Sequence, residues 1–314
     1  MADLLSINLN SSHQHYTTND TKLCDSIFNN PGSLTLLNQN IRSLNHNYDE
    51  LDILLYNFKT DFKIIILTEC WISTFLQKKH KNNYNAYHTL KNKTQNDGIV
   101  LYLHDSLNAS VSEIDLINNN CLQIIIDSDT CVLAIYRSPS THNITPFIIA
   151  LDSHLKKLTS YKNIIIAGDL NINILPNGHP QNIDYQMMLL EHGIISTINT
   201  PTRVTKDSES CIDHLMVKTK SQICSAVYES TITDHYTTMI GLTSPTRNTI
   251  FQNSTTKKII DYVNINHCLE NQTWEHLTKF NSAEEAWNFF LTYLQTLITQ
   301  NTKTIHISID MRVY

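Results

Sequence analysis

The stretch NIIIAGDLNINIL, residues 163–175, places a glycine, a carboxylate and amides directly after a run of isoleucines. Polar groups at the carboxyl end of a buried strand are typical of the reactive groups of α/β and sandwich enzymes. Asp169 and Asn171 share one face by the two-residue period of a strand, so a carboxylate and an amide can align a water and hold an oxyanion. We interpret Gly168 as a position where the backbone comes close to a ligand. Taken alone, the Asp and Asn pair is also a common turn signal.

Other strand-like runs also end in polar or ionisable residues. LTLLNQNIRSL ends in Asn40 and Arg42, IIILTECW in Glu69, VLAIYRSP in Tyr136 and Arg137, STITDHYT supplies Asp234 and His235, and TPTRVTKDSESCIDHLMV adds Thr202, Arg203, Ser210 and Asp213. Each has a structural explanation by itself, such as a solvated strand end for Glu69 or a hydrogen-bonded loop for His235. Their recurrence at successive strand ends favours one shared site.

The elements that must position these residues alternate between strand and helix. Strand patterns cover SLTLLNQNI, KIIILTE, GIVLYL, NASVSEI, CLQIIID, CVLAIYR, NIIIAGD, IDHLMV, ICSAVY and TTMIGL. Helical patterns cover YDELDILLYNF, TPFIIALDSHLKKL and IDYQMMLLEHG, the last ending at Gly193, which suits a left-handed cap. Strands outnumber helices, which predicts two packed sheets with helices outside or, alternatively, a doubly wound sheet.

Composition divides the chain into four segments. Residues 1–32 are polar and without periodicity, which predicts a loose tail, and residues 33–243 form the patterned domain. Residues 244–258 are rich in Thr, Asn and Ser, which predicts a linker. Residues 259–314 contain a capping-box pattern, formed by Ser282 and Glu285. An apolar helix face follows it, formed by Trp287, Phe290, Leu291, Leu294 and Ile298. That helix packs back on the core or begins a further domain.

Composition and charge exclude several classes of protein. The 7 cysteines are scattered without a C-x-x-C pair or a companion histidine spacing, so neither a disulfide framework nor a zinc site is indicated and a reducing compartment is expected. No apolar run approaches the roughly 18 residues of a membrane span, so membrane insertion is not expected. The net charge of -6 disfavours indiscriminate nucleic-acid binding, but carboxylates that hold a metal can still attract a phosphate.

Pieces of the sequence, taken in order, resemble the endonuclease/exonuclease/phosphatase superfamily, specifically the apurinic-like endonuclease domain of non-LTR (LINE-type) retrotransposons. The pieces are NIRSL, LTECW, GIVLYL, AIYRSP, GDLNINI, TPTRVT with SCIDHLMV, and TDHY, between residue 36 and about residue 242. GDLN or DHY alone would be little evidence, and the shared order carries the resemblance. It implies a DNase I-like α/β (α+β) fold, a four-layer sandwich of two β-sheets flanked by helices.

The resemblance implies a role for each residue around the metal and the water. Glu69 matches the carboxylate that binds the divalent cation, Mg²⁺ with Mn²⁺ as the alternative, and Asn40 matches the amide beside it. Asp169 matches the residue that aligns or deprotonates the attacking water. Asn171 matches the donor that stabilises charge on phosphorus, and Tyr136 a contact to the phosphate or leaving group.

Further matches concern the phosphate and the DNA. His235 matches the group that binds the scissile phosphate with its ring held by Asp213, and Asp234 matches another carboxylate near the metal or leaving oxygen. The pattern that contains Thr202, Arg203 and Ser210 matches retroelement members, as DNA contacts or as supports for Asp213, with support favoured for Ser210. Arg42 stands where many repair-type members have a second acidic ligand, so retroelement-like nicking is expected rather than abasic-site repair.

The expected function is therefore that of a metal-dependent DNA endonuclease that nicks one strand and leaves a 3′-hydroxyl. Residues near the C-terminus, WEHLTKFNSAEEAWNFFLTYLQTLI, resemble the helical connector before a reverse transcriptase, a domain absent from this chain and an expected partner besides DNA. The expected location is intracellular and nuclear. The alternatives are a superfamily phosphomonoesterase that acts on a lipid or inositol phosphate, and an inactive relic that only binds DNA or a partner.

Overall fold

A computed structural model describes residues 13–29, 32–71, 81–92, 94–141, 143–175, 180–243, 255–260, 262–280 and 282–307. The chain divides into two compact units, Met1–Pro245 and Thr246–Tyr314. In the described part of the chain, no helix is both long enough and apolar enough to cross a membrane.

The first unit holds two large sheets and the helices that cover them. Its strands are β1 (His13–Thr18), β2 (Leu34–Asn40), β3 (Ile64–Thr68), β4 (Tyr84–His88), β5 (Val100–His104), β6 (Ala109–Glu113), β7 (Asn120–Ile126), β8 (Thr130–Tyr136), β9 (Asn163–Asp169), β10 (Ile195–Ser196), β11 (Arg203–Val204), β12 (Glu209–Ser210), β13 (Asp213–Lys218), β14 (Gln222–Tyr228) and β15 (Thr237–Thr243). Its helices are α1 (Thr21–Phe28), α2 (Tyr48–Asn57), α3 (Thr145–Leu155) and α4 (Pro180–Glu191). The strands and helices predicted from the hydrophobic patterns are all present.

The described strands form a 7-stranded sheet in the order β1-β14-β15-β2-β3-β5-β4 and a 6-stranded sheet in the order β10-β13-β9-β8-β7-β6. One apolar cluster joins side chains of both sheets, for example Ile64 of β3 with Ile165 of β9. A second cluster packs α3 and α4 on the outer face of the six-stranded sheet, and a third packs α1 and α2 on the seven-stranded sheet. The predicted four-layer sandwich is confirmed, and the alternative of one doubly wound sheet is wrong.

The central strands have apolar runs rather than alternation because both of their faces are covered. In β3, Ile64 and Ile66 face the other sheet, whereas Ile65 and Leu67 pack in the cluster under the helices. Successive side chains point to opposite faces, so a buried strand needs apolar residues at every position. The polar residues that follow such strands therefore lie together at the edge of the sandwich.

The prediction of a loose tail over residues 1–32 is wrong for the described residues from His13 to Phe28. Strand β1 pairs in parallel with β14 along its whole length, and α1 buries Cys24 and Phe28. The helix is capped by Asp20, whose side chain accepts the Lys22 N–H at 2.9 Å. A polar strand at the edge of a sheet is held by backbone hydrogen bonds, so it leaves no apolar pattern in the sequence.

The second unit pairs β16 (Thr255–Ile260) with β17 (Thr302–Ile307) and contains α5 (Tyr262–Glu270) and α6 (Ala283–Gln300). As the capping pattern predicts, the Ser282 hydroxyl accepts the Glu285 N–H at 3.2 Å. The linker prediction is wrong for residues 255–258, which lie in β16, while 244–254 lie outside the described residues. The sequence pattern predicts a helical segment here, whereas the unit contains two strands as well as helices.

Candidate active site

Two buried carboxylates face each other at the edge of the six-stranded sheet. Asp169 ends β9 and Asp213 begins β13, and the two residues are direct partners in the antiparallel ladder. Both are 0% exposed. Like charges directly opposite each other destabilise a sheet, so this pair is a property of a site rather than of the fold. Burial, and then the charge of Asp213, raise the pKa of Asp169 to about 7.

Both oxygens of Asp169 are held. Asn40, at the end of β2 in the other sheet, donates from Nδ2 to Asp169 Oδ2 at 2.8 Å. The Asn171 backbone N–H donates to Asp169 Oδ1 at 3.1 Å, and the Asn171 side chain donates to the Arg137 carbonyl at 2.8 Å. The carboxylate therefore has one orientation, fixed from both sheets, and Asn171 is held in a turn with φ of 49°.

Gly168 lies directly against the backbone of a neighbouring strand. Its φ is +140°, and a Cβ at this position would overlap the carbonyl oxygen of Ile135 in β8. The close approach that requires glycine is therefore between β9 and its neighbouring strand. The interpretation that the backbone at Gly168 comes close to a ligand stays a prediction.

A histidine and a carboxylate form a buried pair beside Asp169. His235 Nδ1 lies 2.9 Å from Asp213 Oδ2, and the Thr202 hydroxyl donates to the same oxygen at 2.9 Å. Burial alone lowers the pKa of His235, but the charge of Asp213 and the hydrogen bond to it outweigh burial and raise the pKa to about 9. His235 is therefore an imidazolium at neutral pH. The predicted contact between Asp213 and His235 is present in the structure.

Glu69 and Tyr136 lie near Asp169, since the charge of Glu69 raises the pKa of Asp169 and the charge of Asp169 raises the pKa of Tyr136. Glu69 follows β3 with φ of 52° and is partly exposed. Tyr136 ends β8 and packs in the cluster between the sheets. Burial raises the pKa of Tyr136, and the charges of Glu69 and Asp169 raise it further. The phenol is therefore neutral and its O–H is a donor.

Asp234 lies between two arginines. Arg42 Nη1 is 2.6 Å from Asp234 Oδ1, and Arg203 Nε donates to Asp234 Oδ2 at 2.9 Å. Partial burial raises the pKa of Asp234, but the hydrogen bond from Arg203 and the charge of Arg42 outweigh burial and lower it. Ser210 contributes its backbone, since its carbonyl accepts the Thr202 N–H at 2.9 Å. The predicted DNA-contact or support residues thus gather on one side of the site.

Two buried residues for which no catalytic, metal or DNA-binding role was predicted hold the loops of the site in place. Arg137 donates to the carbonyl oxygens of Leu170 and Asn171, each at 3.3 Å. Gln39 donates to the carbonyl oxygen of Asn40 at 2.8 Å and to that of His235 at 3.2 Å. A buried amide inside an apolar strand is the same signal that marks Asp169, so Gln39 was detectable. The sequence identifies Arg137 as a charged residue at the end of a strand, but the carbonyl groups that it contacts are determined by the fold.

The oxygen donors fit a divalent cation. Among the described residues, ligand atoms of Asp169, Asp213 and His235 lie within 4.8 Å of one another. The contact of His235 Nδ1 with Asp213 Oδ2 at 2.9 Å favours the role predicted for His235, at the phosphate rather than at the metal. Asp213 Oδ1 is buried without a hydrogen-bond partner among the described residues. The buried carboxylates with Glu69 and the Asn40 amide are the oxygen ligands that Mg²⁺ or Mn²⁺ prefers, and a cation would relieve their repulsion.

The sequence profile described as the Endonuclease/Exonuclease/phosphatase family matches residues 5–235. Among curated proteins, none is similar to this chain in sequence.

Several solved structures share the fold. The 3′-5′ exonuclease NExo from Neisseria meningitidis is 14% identical, with a TM-score of 0.54 over 66% of this chain and 99% of that one. The endonuclease domain of TRAS1, a telomere-specific non-LTR retrotransposon, is 14% identical, with a TM-score of 0.52 over 67% of this chain and 98% of that one. The AP endonuclease LMAP from Leishmania major is 11% identical, with a TM-score of 0.53 over 68% of this chain and 88% of that one. At these identities the likeness concerns the fold alone.

Proposed function

We propose, since this chain belongs to the Endonuclease/Exonuclease/phosphatase family, that it is a metal-dependent DNA endonuclease of the non-LTR retrotransposon type. It nicks one strand and leaves a 3′-hydroxyl. The observation that carries the proposal is the meeting of Asp169, Asn40 and the Asp213–His235 pair where the two sheets end. Asp169 can accept a proton from water, and the positively charged ring of His235 lies beside it to stabilise a phosphate. Hydrolysis of a phosphodiester requires both functions.

Asp169 is the residue that activates water. The hydrogen bonds from Asn40 and from the Asn171 backbone orient the carboxylate. Burial and the charge of Asp213 place its pKa at about 7, which suits a general base at neutral pH. Water that gives its proton to Asp169 attacks phosphorus in line with the leaving oxygen.

His235 and Tyr136 stabilise the charge that develops on the phosphate. The imidazolium of His235 is fixed by Asp213 through the 2.9 Å contact at Nδ1, so it needs no reorganisation when the phosphate becomes more negative. The neutral phenol of Tyr136 donates a hydrogen bond to the phosphate or to the leaving oxygen, and the Asn171 amide is a further donor.

Glu69 and Asn40 would hold the cation, Mg²⁺ or alternatively Mn²⁺. When bound, the ion supplies Lewis-acid charge to a phosphate oxygen. Asn40 also donates to Asp169, so it links the metal side of the site to the base.

The arginines favour DNA as the substrate. The side chains of Arg42 and Arg203 are 36% and 35% exposed, and guanidinium groups bind phosphate oxygens through paired donors. They provide local positive charge in a chain whose net charge is -6. The proposal extends to a nuclear location and to a reverse transcriptase as a partner, in keeping with the retrotransposon type.

The proposed activity is tested on supercoiled plasmid with Mg²⁺ and, as the control, with EDTA. We expect nicked circles in Mg²⁺ alone, with ends that a DNA polymerase extends without prior phosphatase treatment, because the product carries a 3′-hydroxyl. Plasmid that stays supercoiled while phosphate is released from a soluble inositol phosphate would indicate a phosphomonoesterase. Neither activity would indicate an inactive DNA-binding or partner-binding protein.

A further inference from the structure

The loops that carry Arg42 and Glu69 are joined through the backbone. The Ser43 N–H donates to the Glu69 carbonyl at 2.8 Å, and the Leu44 N–H donates to the Cys70 carbonyl at 3.0 Å. Arg42 and Glu69 have φ of 39° and 52°, values that are uncommon for residues with a Cβ. Such a backbone is kept only where the surrounding structure enforces it. The position of Arg42 beside Glu69 is therefore built into the fold.

The Arg42 guanidinium lies between two carboxylates. Nη1 is 2.6 Å from Asp234 Oδ1 and Nη2 donates to Asp234 Oδ2 at 3.1 Å, so the ion pair reaches both oxygens of Asp234, although only the contact to Oδ2 is a hydrogen bond. On the other side, Nε is 3.9 Å from Glu69 Oε2. Both carboxylates were predicted as ligands or neighbours of the metal. A guanidinium thus occupies the space that a cation shared by Asp234 and Glu69 would need.

Arg203 completes the surroundings of Asp234. Its Nε donates to Asp234 Oδ2 at 2.9 Å, and its backbone forms a β-bridge with His235. Among the described residues, ion pairs join Arg42 to both Asp234 and Glu69, and Arg203 to Asp234. A divalent cation at Asp234 would meet two fixed positive charges, which strongly disfavours binding there.

We propose that the Arg42 guanidinium takes the place of a second cation, so that this site binds one divalent ion, held from the Glu69 side. Asp234 is then a positioning residue that aims Arg42 and Arg203 at phosphate oxygens of the DNA, and it is not a metal ligand. The inference rests on the proposed function for its substrate, but its account of metal binding concerns the free protein. Unlike a bound ion, a guanidinium is not removed by a chelator and its charge is not lost at ordinary pH.

The test is a Mn²⁺ titration of the full chain without DNA, in which the electron paramagnetic resonance signal of free Mn²⁺ measures the number of ions bound. We expect one ion per wild-type chain. The Asp234→Asn variant should also bind one ion, with an affinity within about threefold of the wild-type affinity. Arg42→Asp should bind two ions, because a carboxylate then faces both Asp234 and Glu69. Arg203→Asp is the matched control with the same charge change, and it should bind one. Thermal unfolding verifies that each variant is folded.

Each outcome decides the inference. Two ions in the wild type, loss of the tight ion in Asp234→Asn, or one ion in Arg42→Asp would overturn it. A second ion in both aspartate variants would mean that lost positive charge, rather than the position of Arg42, creates a site, and would also overturn it. A wild type that binds no Mn²⁺ refutes the metal-dependent function as well. One ion without nicking of plasmid refutes the proposed nuclease while the metal inference stands.

Discussion

Removal of the Asp213 charge should convert His235 from a cation to a neutral ring. Burial opposes charge on the ring, yet Asp213, whose Oδ2 lies 2.9 Å from Nδ1, raises the pKa of His235 from 6.5 to about 9. That shift corresponds to roughly 3 kcal/mol of preference for the charged form. In Asp213→Asn the burial stays and the largest favourable charge is gone, while Asp169 and Asp234 still raise the pKa, so we expect the pKa of His235 to fall toward its ordinary value. A fall to 6.5 would reduce the charged fraction at pH 8 from about 90% to about 3%, so we expect the nicking rate to drop by up to roughly 30-fold.

The assay is single-turnover nicking between pH 6 and pH 9. The ratio of wild-type to Asp213→Asn rates should grow as the pH rises, because the wild-type ring keeps its proton longer. His235→Ala combined with Asp213→Asn should be little slower than His235→Ala alone, since the two residues act as a unit. Thr202→Val is the matched control, because it removes the other donor to Asp213 Oδ2 without a change of charge. A rate ratio independent of pH, or multiplicative losses in the double variant, would refute the reasoning.

Three other substitutions test separate parts of the account. Glu69→Ala should abolish nicking and weaken Mg²⁺ binding while the melting temperature changes little, because the side chain is partly exposed and its ion pair to Arg42 is 3.9 Å long; full activity would mean that the metal site is misplaced. Gly168→Ala should destabilise the fold by roughly 3 kcal/mol or more in urea unfolding, since a Cβ would overlap a neighbouring backbone carbonyl; an unchanged midpoint would contradict the strand-contact role. Burial lowers the pKa of His214 from 6.5 to about 4, so between those values the unfolded chain binds a proton that the folded chain does not, and stability rises with pH. The wild type should therefore lose about 2 kcal/mol more than His214→Gln between pH 7 and pH 5, and equal losses in urea unfolding would count against the buried neutral ring.

The sequence predicts the central strands well because both of their faces are covered. A strand such as β9 has an apolar residue at nearly every position and ends at Asp169, so both the element and its reactive end are visible. The sequence pattern does not predict strand β1, because it is an edge strand that pairs through its backbone. Strand β4 is missed for a related reason, since its side chains are exposed or half-buried and show no apolar run.

The site was predictable in its residue types but not in its contacts. The resemblance predicted that Asp213 holds the ring of His235, and the structure places the two residues in contact. The pairing of Arg42 with Asp234 joins residues that are 192 positions apart. It depends on how the loop of Arg42, where φ is positive, meets the loop of Asp234, which no local pattern encodes. The role of Gly168 likewise depends on the approach of a neighbouring strand, which a single segment of sequence does not reveal.

The central claim is that the polar end of β9 activates water for attack on a phosphodiester. It is tested most directly by the rate at which Asp169→Asn nicks supercoiled plasmid in Mg²⁺, with DNA binding measured in parallel. The substitution keeps the shape of the side chain but removes its capacity to accept a proton. We expect wild-type nicking that depends on Mg²⁺, a rate at least about 10²-fold lower in the variant, and unchanged DNA affinity. Equal rates in the two proteins would contradict it and return Asp169 to a structural role.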